Sequence, residues 1–178
     1  MNYFIQSLTY FRILISPIIF LLITLYDSYG WALFLFFLAS ISDYWDGFLA
    51  RKYKLESIIG AVLDPIADKI LVTFLILALS IELSSIFIGM VGGLMLVREF
   101  WVGALRDYNA RQNNPDATKV TLLAKIKTLT QFLTFSSYLF GLFLNNSLIL
   151  FSSNFVLFLA LIITLQTGLS YTMSTFKQ

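Results

Sequence analysis

The sequence predicts an all-α membrane protein of six transmembrane helices forming a single domain over residues 1–178. Three observations predict it. Of 178 residues, 58% are hydrophobic and 12% charged, with mean hydropathy +0.83, whereas soluble domains carry about 25% charged residues. Apolar stretches of about 20 residues, enough for a helix to cross the hydrocarbon, recur along the chain between turn residues. The basic residues are absent from every second turn.

The elements follow in order. Met1 to Ser7 mixes polar and apolar residues and reads as a short amphipathic piece lying in the membrane interface. The first span covers about Leu8 to Tyr26, with Arg12 near its start and Pro17 inside. Tyr26-Asp27-Ser28-Tyr29-Gly30 is a turn with interfacial aromatics. The second span runs about Trp31 to Arg51 and ends in a basic turn around Lys52, Tyr53 and Lys54. The third runs about Gly60 to Leu83 and carries Asp64, Asp68 and Lys69 in its first half. Ser84-Ser85 separates it from the fourth, about Ile86 to Leu105. Arg106 to Lys119 reads as the one soluble stretch, with Asn113-Asn114-Pro115-Asp116 as turn chemistry. The fifth span runs about Thr121 to Leu144, Asn145-Asn146 is a turn, and the sixth runs about Leu148 to Tyr171.

Charge sets the orientation and excludes whole classes of chemistry. The turns after the first, third and fifth spans contain no Lys or Arg, so all twelve basic residues sit at the other side. Cytoplasmic loops hold the excess of Lys and Arg, which places both termini in the cytoplasm. A net charge of +2 is too small to argue for nucleic acid. With no cysteine and no histidine, there is no disulfide, no Cys or His zinc site and no nucleophile–histidine couple.

One stretch carries the chemistry. Asp43, Asp46, Gly47 and Ala50 follow i, i+3, i+4, i+7 and share one face of a helix; Gly60, Asp64 and Asp68 follow i, i+4, i+8 and share another. A short turn through Lys52 to Ser57 lets the two faces meet, gathering four carboxylates beside two small residues at the cytoplasmic leaflet. Ionised carboxylates within a membrane segment are expensive and point to function. They do not all stay ionised at close quarters without cations. Oxygen-only ligation suits Mg²⁺ or Mn²⁺ with substrate phosphates, and Ca²⁺, which draws on more protein ligands, is the weaker fit. Two such ions can clamp the attacking and leaving oxygens of a displacement at phosphorus. In a chain without histidine, a carboxylate is the simplest general base. The residues alone also fit a proton or cation pathway.

The pattern D-x2-D-G-x2-A-R-x8-G-x3-D-x3-D, filled by Asp43, Asp46, Gly47, Ala50, Arg51, Gly60, Asp64 and Asp68, resembles the signature of the CDP-alcohol phosphatidyltransferase family. Eight fixed positions at fixed gaps make the match specific. The resemblance implies a six-helix membrane enzyme, commonly a homodimer, that transfers a phosphatidyl group from a CDP-linked lipid to an alcohol and releases CMP. It implies that Asp43, Asp46 and Asp64 hold the metal ions, with Asp68 joining the site as base, and that Asp43, Gly47, Ala50, Arg51 and Gly60 lie along the cytidine diphosphate. Missing side chains at Gly47 and Gly60 suit close approach of a nucleotide.

Further blocks resemble the branch of the family that joins CDP-diacylglycerol to sn-glycerol 3-phosphate. They are Leu8-Thr9-Tyr10-Phe11-Arg12 with Pro17, Asp64-Pro65-Ile66-Ala67-Asp68-Lys69, Arg98-Glu99-Phe100, Leu105-Arg106-Asp107, and Lys125-Ile126-Lys127-Thr128 with Gln131. They imply an acceptor phosphate cradled by Arg98, Arg106, Lys125 and Lys127. Ala124 departs from the glycine common there. A sister enzyme accepting phosphatidylglycerol has similar blocks. Plainer readings stand beside these. Arg12 fits a residue snorkelling to the headgroups as well as one at the pocket mouth. Lys125 and Lys127 fit positive-inside anchors, and Arg106, Arg111 and Lys119 a headgroup-facing loop. Glu99 beside Arg98 fits a structural pair, and Gly92-Gly93 close helix packing with a dimer seam.

Overall fold

The structure, a computed structural model, describes the backbone of residues 2–53, 58–114, 119 and 121–177, and their side chains except at 2–6, 46–53, 58, 59 and 61. Six helices account for nearly all of it: α1 (Asn2–Thr24), α2 (Tyr29–Tyr53), α3 (Ile58–Glu82), α4 (Ile86–Arg111), α5 (Leu122–Phe143) and α6 (Ser147–Phe176). There is no strand among the described residues.

Two boundaries differ from the sequence reading. The first residues are not a separate in-plane piece, because α1 is one helix from Asn2. The expected soluble stretch is shorter, because α4 continues to Arg111 and carries Arg106 and Arg111 on its last turns. Asp107 and Arg111, four residues apart, pair at 2.8 Å on that extension, a spacing that supports exposed helix. Lys54 and the rest of the turn to Ser57 lie outside the described residues.

Local chemistry explains where the helices stop. Ser84, Asn113 and Asn145 are non-glycine residues with positive φ (45°, 54° and 49°) just beyond α3, α4 and α5. Around each, two backbone bonds close a C-terminal cap. They run from Ser84 to Ile81 and Ser85 to Ser80, from Asn113 to Ala110 and Asn114 to Asn109, and from Asn145 to Leu142 and Asn146 to Gly141. This is the Schellman pattern, which satisfies the last carbonyls of a helix. After α3 and α5 the next helix then starts at once. Ser85 Oγ accepts from the Ile88 amide, and Asn146 Oδ1 accepts from the Leu148 and Ile149 amides. Such caps are each worth about 1 kcal/mol.

The six helices close into a ring. Each packs mainly on two neighbours, in the order α1, α3, α4, α6, α5, α2 and back to α1. Inside lies an apolar core that draws Ile19 from α1, Phe36 from α2, Leu75 from α3, Met95 from α4, Leu139 from α5 and Leu157 from α6. Gly92 lets α4 approach α3, because a methyl there would stand 2.4 Å from Ile76 Cγ2. That contact is internal to one chain. Gly93 faces outward, with nothing within 4 Å of such a methyl.

Outside, large apolar side chains such as Leu14, Leu25, Met90, Val97, Leu148 and Phe151 are exposed. That is what a helix bundle presents to lipid tails. By length and composition α1, α4 and α6 each suffice to cross a membrane, and the chain is an integral membrane protein. Helices α2, α3 and α5 span 25, 25 and 22 residues. In α5 the hydroxyls of Thr128, Thr130 and Thr134 bond the carbonyls of Ala124, Ile126 and Thr130, which satisfies them without water.

Candidate active site

The antiparallel ring brings the start of α1, the end of α2 and the start of α3 to one end of the bundle. A polar stripe on α1, formed by Thr9, Arg12 and Ser16, is fully or almost fully buried. The three positions follow i, i+3, i+7 and so share a face. Arg12 Nη1 donates to Asp43 Oδ1 and to Asp68 Oδ1, and its Nη2 lies 3.4 Å from Asp64 Oδ1. Thr9 Oγ1 donates to Asp64 Oδ1 at 2.6 Å. Three aspartates from two helices therefore converge on one guanidinium. The Arg12 side chain is 0% exposed, while those of Asp43, Asp64 and Asp68 are 48%, 37% and 53% exposed. The carboxylates line an opening that water reaches, and the cation lies behind them.

The other half of the same end is basic. Arg98 on α4 is buried; its Nη1 donates to Glu99 Oε1 at 3.0 Å and its Nη2 to Thr167 Oγ1 at 2.6 Å. Lys127 on α5 donates to the same Glu99 oxygen at 2.6 Å. The guanidinium carbons of Arg98 and Arg106 lie 6.0 and 5.8 Å from the centre of the Tyr171 ring on α6, within cation–π range. Arg98 Nε and Tyr171 Oη are buried with no hydrogen-bond partner among the described residues. Buried donors without partners are costly, so this corner holds polar capacity that the described residues leave unspent. Lys125 is exposed on α5 and makes no ion pair among the described residues. Gly168 lets Arg98 lie flat on α6, since a methyl there would meet Arg98 Cγ at 3.0 Å. Ala124 packs against Val102, Leu105 and Tyr171 beneath this corner.

Between the halves, Lys69 reaches across from α3, its Nζ 5.1 Å from the centre of the Phe100 ring of α4. An apolar groove of about 550 Å³, lined by Phe87, Phe151 and Phe155 among others, lies at the opposite end of α4 and α6. It carries no titratable group and stands apart from the acidic and basic clusters.

A profile of CDP-alcohol phosphatidyltransferases matches residues 6–166, most of the chain. The chain belongs to the CDP-alcohol phosphatidyltransferase family. Among its relatives is the CDP-diacylglycerol–glycerol-3-phosphate 3-phosphatidyltransferase of Salmonella choleraesuis, 30% identical over 168 residues, 92% of this chain and 90% of that protein. The protein of the same name in Escherichia coli is 29% identical over 168 residues, with the same shares covered. That of Wigglesworthia glossinidia brevipalpis is 36% identical over 136 residues, 74% of each chain. Dependence on divalent metal is general in CDP-alcohol phosphatidyltransferases.

Of the signature residues of this CDP-alcohol phosphatidyltransferase, Asp43, Asp64 and Asp68 come together as the helical spacing predicts. Asp46, Gly47, Ala50 and Arg51 continue α2 beside them, and their side chains lie outside the described residues. Gly60 is partly buried in the first turn of α3. The donor set fits a divalent ion in kind, being oxygen-only, anionic and open to water. Among the described residues, no three acidic groups already stand where they would share one ion; Arg12 is bonded to Asp43, Asp64 and Asp68. The sequence left Arg12 between snorkelling to the headgroups and a place at the pocket mouth. Its side chain is buried and turns inward onto the aspartates, so the snorkelling reading does not hold. Sequence reasoning missed Thr167 and Tyr171, because a lone Thr or Tyr in an apolar span carries no spacing that marks it.

Proposed function

We propose that this protein transfers the phosphatidyl group of CDP-diacylglycerol to sn-glycerol 3-phosphate, giving phosphatidylglycerophosphate and CMP in phospholipid biosynthesis. The observation that carries the reading is the meeting of Asp43, Asp64 and Asp68 at one water-reachable opening, in a chain whose relatives are named for this reaction over nine-tenths of their length.

The chemistry follows from the residues. Asp43, Asp46, Asp64 and Asp68 are the side chains to hold divalent ions, which supply charge neutralisation for a pyrophosphate. Asp68, the most exposed of the three described carboxylates, takes the proton from the primary hydroxyl of the acceptor. The hydroxyl oxygen forms a new bond to the phosphorus bearing the diacylglycerol. The bond from that phosphorus to the bridging oxygen breaks, and CMP leaves with the electron pair. Asp43, Gly47, Ala50, Arg51 and Gly60 lie along the cytidine diphosphate. Arg98, Arg106, Lys125 and Lys127 serve the acceptor phosphate; the Nε of Arg98, without a hydrogen-bond partner among the described residues, supports that role. Both termini and the site face the cytoplasm of a bacterial inner membrane, as the twelve basic residues at that end suggest. The enzyme works as a homodimer, its seam on apolar helix faces exposed in the single chain.

The test supplies purified protein in lipid vesicles with CDP-diacylglycerol and a panel of alcohols. CMP is expected to appear with sn-glycerol 3-phosphate, with a phosphomonoester on the lipid product, and to stop in excess chelator. Release with phosphatidylglycerol alone would move the enzyme to the sister activity. Full activity in excess chelator would remove the metal from the reading.

A further inference from the structure

We propose that Arg12 is the resident counter-ion of the carboxylate site, a positioning residue that gathers Asp43, Asp64 and Asp68 in the metal-free protein, yields them to an arriving divalent cation, and thereby sets the affinity of the site. The inference rests on the divalent-ion reading above and adds a residue outside the aspartate signature.

Four observations carry it. The guanidinium is 0% exposed, whereas its three partners are 37–53% exposed. An arginine whose purpose was to reach headgroups would be oriented the other way. Next, one group spans carboxylates on two helices, with Nη1 bonded to Asp43 and Asp68 and Nη2 beside Asp64. Without that positive charge three like charges would push α2 and α3 apart. Third, a cation entering the opening needs the Asp43, Asp64 and Asp68 oxygens that Arg12 engages, and two positive centres sharing those oxygens repel. Last, Asp64 has a second tether in the hydroxyl of Thr9, at 2.6 Å. It stays oriented when the guanidinium withdraws.

The geometry makes metal and Arg12 competitors for one set of ligands, so removing the charge should tighten metal binding while weakening the metal-free fold. Arg12→Met keeps length and apolar bulk and deletes the charge. Purified full-length protein without nucleotide or acceptor is titrated with Mn²⁺, and bound ion is read by electron paramagnetic resonance. Wild type should bind Mn²⁺, and Arg12→Met should bind it about tenfold more tightly. The unfolding temperature of Arg12→Met in chelator should fall below wild type and recover in saturating Mn²⁺. Arg12→Lys retains one charge on a single nitrogen and should fall between the two in Mn²⁺ affinity; it keeps the test open should the methionine variant not fold. Equal or weaker Mn²⁺ binding in whichever variants fold overturns the counter-ion role and leaves the metal reading standing. A wild type that binds no Mn²⁺ overturns both.

Discussion

A carboxylate that is half-exposed and already bonded to a guanidinium is held in one orientation without being sealed from water. Asp68 is in that position, and Asp43 resembles it, each accepting from Arg12 Nη1. Asp64 differs, being more buried and doubly held by Arg12 and Thr9. The lower exposure of Asp64 supports it as a fixed ligand, and the higher exposure of Asp68 supports it as the proposed base. Replacing Asp68 by Asn keeps the shape and removes the basicity. Turnover is expected to drop at least about 10²-fold, the usual contribution of a general base, while the CDP-lipid still binds, as measured by equilibrium binding of a labelled nucleotide lipid. Loss of that binding would make Asp68 chiefly a ligand. The meeting of Asp43, Asp64 and Asp68 was legible in their spacing alone. The inward turn of Arg12 was not, because an arginine one or two turns into an apolar helix has the reach to go either way and only the packed neighbours select one.

Helix α5 shows how two lysines two residues apart acquire different surroundings. A step of two residues rotates a side chain by about 200° around an α-helix. Lys127 therefore meets Glu99 of α4 at 2.6 Å, while Lys125 is exposed. If the acceptor phosphate is held by the Arg98–Glu99–Lys127 corner, Lys127→Ala should raise the KM for sn-glycerol 3-phosphate about tenfold or more, with little change for the lipid donor. Lys125→Ala should have the smaller effect. Steady-state kinetics with each substrate varied in turn distinguishes them; equal effects of Lys127→Ala on both substrates would count against the cradle. The sequence reading treated the two lysines alike, since both match the same block. Similarly, α4 outruns its apolar stretch because its last turns pack on α6, with Leu105 and Asn109 buried and Asn109 Nδ2 donating to Thr175 Oγ1 at 2.8 Å, a tertiary contribution that hydropathy does not register.

Across the whole molecule the ring order sets two polar clusters apart at one end. The aspartates of α2 and α3 gather on Arg12 of α1, and Arg98 and Glu99 of α4 meet Lys127 of α5 and Thr167 of α6. The opposite end is different in kind. Its loops have no Lys or Arg, and Tyr29 Oη donates to Glu82 there at 2.6 Å. That asymmetry predicts which end faces the cytoplasm. Because the chain has no cysteine, single replacements report cleanly. A membrane-impermeant maleimide should label Leu148→Cys in intact cells, and Lys177→Cys only after permeabilisation. The reverse pattern would invert the topology and move the site to the outer face.

By itself the sequence determined six helices, their approximate ends, a membrane setting and a shared acidic face on α2 and α3. Those features are local, set by hydropathy over about 20 residues, by turn chemistry and by helical periodicity. Tertiary structure alone decided that α1 lies against both acidic helices, that Arg12 is spent inward on their aspartates, and that Glu99 joins Arg98 to Lys127 beside Tyr171. Those pairings join residues far apart in the chain, so no local pattern encodes them; they follow from which helices the closed ring makes neighbours.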